Sequence, residues 1–328
     1  MDVVVIGAGM AGLRAATLRA AAGDTVTVLD KGRRHGGRMA TRRVEDATFD
    51  SGVLDLAAHG PAFAEALASW AVDGGAERTA DGRWRGHPTM RALPTMLAER
   101  SGAQVRLATT VTAVAVVGGR WRIDVRDDAA SGTIGADALV MTAPAPQALA
   151  LLSSSTALAS DGTLRRLEEV TYAASLTVLA RPSDRTLAPH ALTVPSADRL
   201  VSTDLVRVYR DDLAGASDVI ALTLQGTAAF SAAHLDADRD AAARVLAEQA
   251  ALLVGTPLDV VHVHGWRYAQ VTRGVALPAL RDDTSGAPLV LAGDLFEAQG
   301  DAPVGVRPEG VERAFASGGA AARLLDVG

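Results

Sequence analysis

A glycine-rich turn near the start of the chain is the first feature that could do chemistry. Three glycines stand in a G-x-G-x-x-G pattern between a β-branched run and an Ala-rich helical segment, and Asp30 follows 23 residues after Gly7. Such a turn lets the backbone approach a pyrophosphate at a helix N-terminus, and the acidic residue accepts hydrogen bonds from an adenosine ribose. We predict a dinucleotide site that includes Asp30 and Lys31. Its turn residues are Gly7, Ala8, Gly9, Met10, Ala11 and Gly12.

A second glycine loop distinguishes between the common dinucleotides. Residues 34–41 read RHGGRMAT and fit R-x-G-G-R-x-x-[ST], the second fingerprint of glutathione-reductase-like flavoproteins. Two glycines let the backbone pass close to a cofactor, and Arg38 supplies a planar cationic donor for phosphate or flavin oxygens. The loop favours FAD over NAD and adds Gly37, Arg38 and Met39 to the predicted site.

The C-terminal part of the chain supplies further candidates for the same site. Asp294 follows a buried strand, where its carboxylate can bind the ribityl chain of FAD while Gly293 lets that chain pass. Val311 and Glu312 begin the last helix, whose N-terminal amides can stabilise negative charge near the flavin pyrimidine ring. Val111 stands where this fold clamps the adenine through backbone groups. The remaining predicted FAD residues are Asp50, Gly52 and Ala143.

The elements that must position these residues predict an α/β fold. The first 30 residues show a strand, a glycine turn, a helix and a second strand, which together make a βαβ unit. Residues 34–43 are expected to form a loop, and the longest later helix is expected over 236–254, beginning at Asp236 or Asp238. Other expected elements are helices at 62–71, 90–100 and 311–325, and strands at 105–107, 111–117, 121–125, 138–142 and 289–292, with a hairpin turn at Gly118-Gly119.

The order of these elements predicts a discontinuous first domain. The Ala-Pro-Ala-Pro run after Thr142 stops regular strand pairing, and a parallel-sheet pattern returns only near residue 289. We therefore expect a three-layer, glutathione-reductase-like FAD/NAD(P)-binding domain with an inserted mixed α/β substrate domain. The first domain takes residues 1–56, 86–147 and 288–328, and the second takes residues 57–85 and 148–287.

Composition limits the partners. The 328 residues are 48% hydrophobic and include no cysteine, so a large core without disulfides is expected. A net charge of −6 lacks the basic excess that binding a nucleic-acid backbone needs. Apolar runs fall short of the roughly 18 residues of a membrane helix, and the first strand leaves no room for a signal peptide. We expect a cytoplasmic protein, monomeric or homodimeric, that binds neither nucleic acid nor membrane.

The order of segments from Met1 to Leu325 resembles the renalase family of flavoproteins. The shared segments are IGAGMAG at 6–12, DKGRRHGGRMATRR at 30–43, WRGHPTM at 84–90, TAPAPQ at 142–147, HGWRYAQVT at 264–272, LAGD at 291–294 and VERAFASGGAAARLL at 311–325. This resemblance implies non-covalently bound FAD and oxidation of dihydronicotinamide isomers to NAD(P)+, with oxygen as the electron acceptor and hydrogen peroxide as the product.

One segment departs from that family. Near the flavin the family has an acidic residue followed by Gly-Ala-Gln-Tyr, whereas residues 50–55 here read DSGVLD. Asp50 and Gly52 keep the backbone role, but Leu54 and Asp55 replace the Gln and Tyr side chains. The identity of the reduced substrate therefore stays open at this point.

Catalytic side chains are not identified by the sequence. The pocket candidates are Trp84, Trp266 and Tyr268; the last two alternate along a strand and form either an aromatic wall or part of the core. Lys31 is the only lysine, so the lysine and water that amine oxidases commonly place beside the flavin are not available. No third ligand accompanies His262 and His264, so no metal is expected. Another flavin-dependent amine oxidase or dehydrogenase, or a non-catalytic flavin-binding protein, remains an alternative.

Overall fold

The computed structural model describes residues 1–153, 158–187, 202–297 and 308–326. Its strands are β1 (Asp2–Ile6), β2 (Thr25–Leu29), β3 (Thr41–Val44), β4 (Ala47–Asp50), β5 (Ala76–Arg78), β6 (Trp84–Gly86), β7 (Gln104–Arg106), β8 (Thr110–Val117), β9 (Arg120–Arg126), β10 (Ser131–Ala136), β11 (Ala138–Met141), β12 (Thr171–Pro182), β13 (Leu205–Arg210), β14 (Leu222–Gly226), β15 (Leu258–Arg273), β16 (Leu280–Asp282) and β17 (Leu289–Leu291). Its helices are α1 (Met10–Ala21), α2 (Pro61–Val72), α3 (Ala92–Arg100), α4 (Ala145–Leu152), α5 (Asp161–Glu168), α6 (Ala228–His234), α7 (Arg239–Val254) and α8 (Gly310–Leu324).

Six strands form the central sheet in the order β16-β17-β11-β1-β2-β7. All neighbours pair in parallel except β16, which is antiparallel to β17. Val3 and Val5 of β1 join the core under α1, α2, α3 and α8, whereas Val4 and Ile6 join the core that includes β8 and β9. Because alternate side chains of a strand point to opposite faces, this short apolar run connects three layers. The predicted α/β architecture is confirmed.

A second sheet is antiparallel, in the order β13-β14-β12-β15. One of its faces is apolar and packs against α6 and α7, as Val178 and Leu246 illustrate. The opposite face carries polar side chains, and Phe49 of β4 packs on it beside Leu179. Directly paired residues point to the same side of a sheet, so the register defines a polar row across all four strands. The members of this row are Arg207, Gln225, Thr177 and His264.

Two differences from the sequence expectations concern short strands. The predicted loop over 34–43 was wrong at its end, because Thr41 begins β3, which pairs with β4 through a tight turn where Glu45 has a φ of 54°. β10 was not expected, because Gly132 and Gly135 weaken its strand pattern, yet it pairs with β9 along six residues. The Gly118-Gly119 turn between β8 and β9 is confirmed.

The helix α2 packs on the same face of the central sheet as α1, α3 and α8. Its buried residues Phe63, Leu67 and Trp70 belong to the same core cluster as Val3, and the Phe63 and Phe315 rings are 5.1 Å apart. These contacts place α2 beside α8, although the expected division gives residues 57–85 to the second domain. The domain boundaries stay a prediction. Within the described ranges, no helix is both long enough and apolar enough to span a membrane.

The start of α7 supplies a test of the fold. Asp238 is its N-cap, and the carboxylate accepts hydrogen bonds from the amides of Asp240 and Ala241, each at 3.0 Å. We expect Asp238→Ala to lower the free energy of unfolding by about 1 kcal/mol, since those amides lose their acceptor. Asp236→Ala is the control, because Asp236 is exposed and forms only a surface ion pair with Arg267. Denaturant unfolding that shows equal losses for both variants would contradict the assignment of the cap.

Candidate functional site

The glycine-rich turn joins the end of β1 to the start of α1. Gly7 has a φ of 112°, and a Cβ there would lie 2.4 Å from Thr142 Oγ1. A Cβ at Gly12 would lie 2.0 Å from the Gly7 carbonyl oxygen, so only glycine lets α1 pack this closely on the turn. At Gly9, in contrast, no atom of the described residues other than its chain neighbours lies within 4 Å of the position of a Cβ. The fold itself requires Gly7 and Gly12, whereas Gly9 borders open space.

The space beside Gly9 lies at the N-terminus of α1. Gly9 is the N-cap residue, it offers no side-chain acceptor, and the first turn of α1 contains no acidic residue. The first amides of a helix have no partners within the helix, and its dipole makes that end positive. An anion such as a pyrophosphate fits this N-terminus, and the missing side chain of Gly9 leaves the room that it needs.

The second glycine loop lies against the first. The Asp30 carboxylate accepts a hydrogen bond from the Ala8 amide at 2.7 Å, which ties the turn to the end of β2. The Gly36 amide donates to the Ala8 carbonyl oxygen at 2.9 Å, and a Cβ at Gly37 would lie 3.9 Å from Gly9 Cα. Both predicted fingerprints therefore border the same space at the N-terminus of α1.

Arg38 connects three distant parts of the chain. Its guanidinium pairs with Asp294 through two hydrogen bonds, the one from Nη1 to Oδ2 measuring 2.7 Å. Nη1 also approaches the carbonyl oxygens of Tyr268 and Ala269 in β15, at 3.2 and 3.3 Å. The Asp294 side chain is only 8% exposed and that of Arg38 is 32% exposed. Two residues predicted to contact different parts of FAD thus form one ion pair at the junction of both sheets.

The N-terminus of α8 lies next to this ion pair. A Cβ at Gly310 would lie 3.7 Å from Asp294 Oδ2, and Val311 is buried in the first turn of the helix. The Gly293 amide donates to Ser317 Oγ at 3.0 Å, which ties the end of the β17 segment to α8. The helix end that was predicted to face a flavin is thereby held against Asp294.

Glu312 makes contacts that the sequence did not indicate. It is 3% exposed, and its carboxylate accepts hydrogen bonds from the amides of His59 at 3.1 Å and Gly60 at 2.6 Å. Gly60 is the N-cap residue of α2, so Glu312 supplies the acceptor that the start of this helix otherwise lacks. Its described hydrogen bonds thus hold α2 to α8.

The segment after β4 is enclosed by the second sheet. A Cβ at Gly52 would lie 1.8 Å from the Arg38 carbonyl oxygen and 3.4 Å from Trp266 Cζ2, so any side chain would push the segment away. Gln225 Nε2 donates to the Gly52 carbonyl oxygen at 2.8 Å, and Trp266 Nε1 donates to the Ser51 carbonyl oxygen at 2.8 Å. The polar face of the second sheet therefore fixes the backbone that carries Gly52.

Asp50 is a buried carboxyl group at the same junction. It accepts hydrogen bonds from Thr41 Oγ1 at 2.6 Å and from the Met90 amide at 3.0 Å, and its own amide donates to Asp211 Oδ1 at 2.7 Å. Burial raises the pKa of Asp50 to about 6, although these two donors favour the ionised form. Ionising Asp50 therefore costs stability as the pH rises through that value.

The two replaced family positions have opposite surroundings. Leu54 is fully buried, whereas Asp55 forms ion pairs with Arg83 of the β5–β6 loop and Arg207 of β13. Arg83 also pairs with Glu309, the N-cap residue of α8, at 2.9 Å. The Asp55 carboxylate is 9% exposed and holds two cations, which makes it a structural link between β13 and the β5–β6 loop.

The three predicted pocket aromatics do not form one wall. Trp84 is half-buried against the core cluster that includes Val3. The Trp266 ring lies edge-on to the His264 ring, with centroids 4.1 Å apart. Tyr268 instead packs on Tyr172, with centroids 5.2 Å apart. The register between β12 and β15 shifts between Trp266 and residue 270, so simple alternation does not hold there. Trp266 is the member of this set that touches the Gly52 segment.

The remaining predicted residues surround the turn. Val111 lies in β8 just before a bulge and close to Thr109, whose amide donates to the Asp30 carbonyl oxygen at 2.8 Å. Lys31 Nζ donates to Gln147 Oε1 at 3.2 Å. Ala8, Met10, Ala11 and Met39 are buried, and Ala143 is half-buried.

Sequence reasoning missed the tertiary partners of the site. Thr142 approaches Gly7 and donates from Oγ1 to the Ile6 carbonyl oxygen at 2.8 Å. The Tyr172 ring lies edge-on to the Tyr268 ring, and its hydroxyl accepts a hydrogen bond from the Ala145 amide at 2.9 Å. Tyr172 and Gln225 belong to no recognised motif, and Thr142 begins the TAPAPQ segment without any signal that it approaches Gly7.

A metal site receives no support from the described part of the chain, where no group of three or more metal-ligating side chains comes together. The His262 and His264 rings stack with centroids 6.5 Å apart. Burial, followed by the charge of Arg42, lowers the pKa of both histidines.

Comparison with protein families gives two matches. Residues 5–68 match the family described as an NAD(P)-binding Rossmann-like domain, and the match covers the end of β1 and all of α1 and β2. Residues 53–325 match the family described as flavin containing amine oxidoreductase, which covers most of the chain.

Comparison with individual proteins supports the same fold. A candidate protoporphyrinogen oxidase from Exiguobacterium sp. 255-15 superposes with a TM-score of 0.72 at 14% identity, covering 99% of this chain and 98% of that one. An oxidoreductase from Methanosarcina mazei gives a TM-score of 0.58 at 13% identity, covering 95% and 99%. An L-amino-acid oxidase from Sistrurus catenatus edwardsii is 57% identical over 54 residues, which is 16% of this chain and 10% of that protein.

The contrast between Gly9 and Gly12 tests the assignment of an anion site at the N-terminus of α1. We expect Gly9→Val to fold, because the Gly9 φ of −90° suits any residue and no non-neighbouring atom in the described ranges obstructs a Cβ. We expect the variant to lose flavin occupancy at least about tenfold, since the valine side chain fills the anion space. Gly12→Val is the control and should lose stability, because its side chain meets the Gly7 carbonyl oxygen. Flavin absorbance per mole of protein gives the occupancy. Full occupancy in the Gly9 variant would contradict the assignment.

Removing Arg38 tests the junction. Arg38→Met leaves the Asp294 carboxylate buried without its cation, and we expect the free energy of unfolding to fall by roughly 1 to 3 kcal/mol, allowing for the partial exposure of Arg38. Arg33→Met is the control, because the Arg33 side chain is 85% exposed. Urea unfolding of both variants measures the difference. Equal stability of the two would show that the ion pair does not hold the junction.

Proposed function

The chain belongs to the family of flavin containing amine oxidoreductases, and from this premise we propose that it is an FAD-dependent oxidase of a small reduced substrate. The observation that carries the proposal is that Gly37 lies against Gly9 at the N-terminus of α1, while the adjacent Arg38 pairs with Asp294. These residues come from three separate motifs. A dinucleotide with a flavin at one end needs such a combination.

The residues present fit a non-covalently bound FAD. The open Cβ position of Gly9 and the uncapped N-terminus of α1 suit its pyrophosphate, and Asp30 at the end of β2 suits the adenosine ribose. Asp294 and the first turn of α8 suit the ribityl chain and the pyrimidine end of the ring. Asp50, Gly52, Val111 and Ala143 are kept as proposed members of this site.

Bound flavin supplies an acceptor for a hydride and returns the electrons to oxygen. The chain then has to orient the substrate and exclude water, and it needs little acid or base chemistry. Gln225 and Trp266 serve this purpose by fixing the Ser51–Gly52 backbone. Lys31 bonds to Gln147, so it does not supply a base at the junction.

For the substrate we propose a dihydronicotinamide isomer of NAD(P)H, as the renalase resemblance implies. The reaction would convert this isomer, oxygen and one proton to NAD(P)+ and hydrogen peroxide. The order of motifs along the whole chain supports this choice. Asp55, which replaces the family tyrosine, is bound in ion pairs with Arg83 and Arg207.

A second candidate is oxidation of an amino acid. The 57% identity to an L-amino-acid oxidase over 54 residues favours it. That match covers a tenth of the relative, so it concerns a shared segment and leaves the substrate-binding part uncompared.

Anaerobic reduction separates these candidates. We expect the flavin absorbance of the purified protein to bleach on addition of mixed dihydronicotinamide isomers and to recover with air, with formation of hydrogen peroxide. Bleaching by L-amino acids alone would support the second candidate. Flavin that dithionite reduces but neither substrate class reduces would contradict both and indicate a non-catalytic flavin-binding protein.

A further inference from the structure

Two adjacent buried carboxyl groups follow β13, and they have different partners. Asp212 pairs with Arg210, which donates from Nε to Oδ1 at 2.8 Å, and both side chains are under 5% exposed. Asp211 is completely buried, and no ion pair joins it to any residue in the described ranges. Its hydrogen-bond partners are the Asp50 amide and the Thr223 hydroxyl.

The single hydroxyl hydrogen of Thr223 indicates whether the Asp211 carboxyl group is protonated. Thr223 Oγ1 lies 2.8 Å from Asp211 Oδ2 and 3.1 Å from the Asp50 carbonyl oxygen, and Thr223 is fully buried. A hydroxyl group carries one hydrogen, so it donates to only one of these two acceptors. If Asp211 were ionised, the other contact would bring two buried oxygen lone pairs together. A proton on Asp211 Oδ2 turns both contacts into hydrogen bonds.

We propose that Asp211 is a positioning residue that acts as a neutral carboxylic acid. It accepts the Asp50 amide hydrogen at Oδ1 and donates its own proton from Oδ2 to Thr223, which in turn donates to the Asp50 carbonyl oxygen. Both backbone groups of Asp50 are then held by the second sheet, two residues before Gly52. The idea that this holds Gly52 in place beside a flavin rests on the proposed function. The protonation of Asp211 does not depend on it.

The charged surroundings agree with this assignment. Burial, followed by the nearby Asp50 carboxylate, raises the pKa of Asp211 well above its usual range. Asp50 itself has Arg91 and Arg85 nearby, so Asp50 is the member of the pair that ionises more readily. Asp50 and Asp211 are surrounded by the following titratable and charged groups: Tyr209, Arg210, Asp212, Arg85 and Arg91.

Neighbouring asparagine variants test the proposal on the purified holoprotein. Asp211→Asn keeps an acceptor for the Asp50 amide and a donor for Thr223, so we expect it to fold and to retain the flavin absorbance spectrum. Asp212→Asn is the matched control. It removes the negative charge that pairs with Arg210 in a buried setting, and its unfolding equilibrium constant should rise about a hundredfold or more. Equal damage by both substitutions would overturn the proposal.

The pH dependence gives the sharper result. A folded-state pKa above the unfolded value means that stability is lost as the pH rises from the unfolded value toward the folded one. The unfolding equilibrium constant of the natural protein, divided by that of Asp211→Asn, should therefore rise up to about tenfold per pH unit in this range. A ratio that stays flat with pH would overturn the proposal.

An infrared spectrum supplies a readout that needs no unfolding. The difference between the natural protein and Asp211→Asn should contain the carbonyl stretch of a protonated carboxyl group, shifted in deuterium oxide. Its absence at neutral pH would overturn the proposal.

Asp211→Ala, which removes both hydrogen bonds, should shift the flavin absorbance bands where Asp211→Asn does not. If the purified protein binds no flavin but still shows the expected pH dependence and infrared band, the proposed function is contradicted. The assignment of Asp211 as a neutral carboxylic acid is then still supported.

Discussion

The ion pair between Arg38 and Asp294 is the interaction on which the site depends. It joins the second glycine loop to the end of the β17 segment, and the same guanidinium approaches two carbonyl oxygens of β15. Because Asp294 is nearly buried, an unpaired carboxylate there would be costly, so the three segments are held together. The N-terminus of α8 lies beside this pair.

Close backbone contacts add a second constraint. Gly12 touches the Gly7 carbonyl oxygen and Gly52 touches that of Arg38, so two positions that carry no side chain fix how the layers meet. The polar face of the second sheet then binds the Ser51–Gly52 backbone through Gln225 and Trp266. The result is a junction whose segments are held in one orientation, which is what hydride transfer to a flavin requires of the protein.

The parts of this arrangement that follow from local pattern could be predicted from the sequence. The βαβ unit, both glycine loops and the hairpin at Gly118-Gly119 depend on residues close together in the chain. The pairing of Arg38 with Asp294 spans 256 residues, so the sequence indicated both residues but not their contact. Glu312 shows the same limit, because its partners are backbone amides of a loop far away in sequence. Thr223 and Asp211 carry no local signal at all.

The measurement that tests the central claim most directly is the visible absorbance spectrum of the purified natural protein, followed by chromatography and mass measurement of what denaturation releases. We expect a two-band flavin spectrum and release of intact FAD in about one-to-one ratio with the protein, since the proposed binding of FAD is non-covalent. A colourless protein that takes up no FAD when it is supplied would contradict the account.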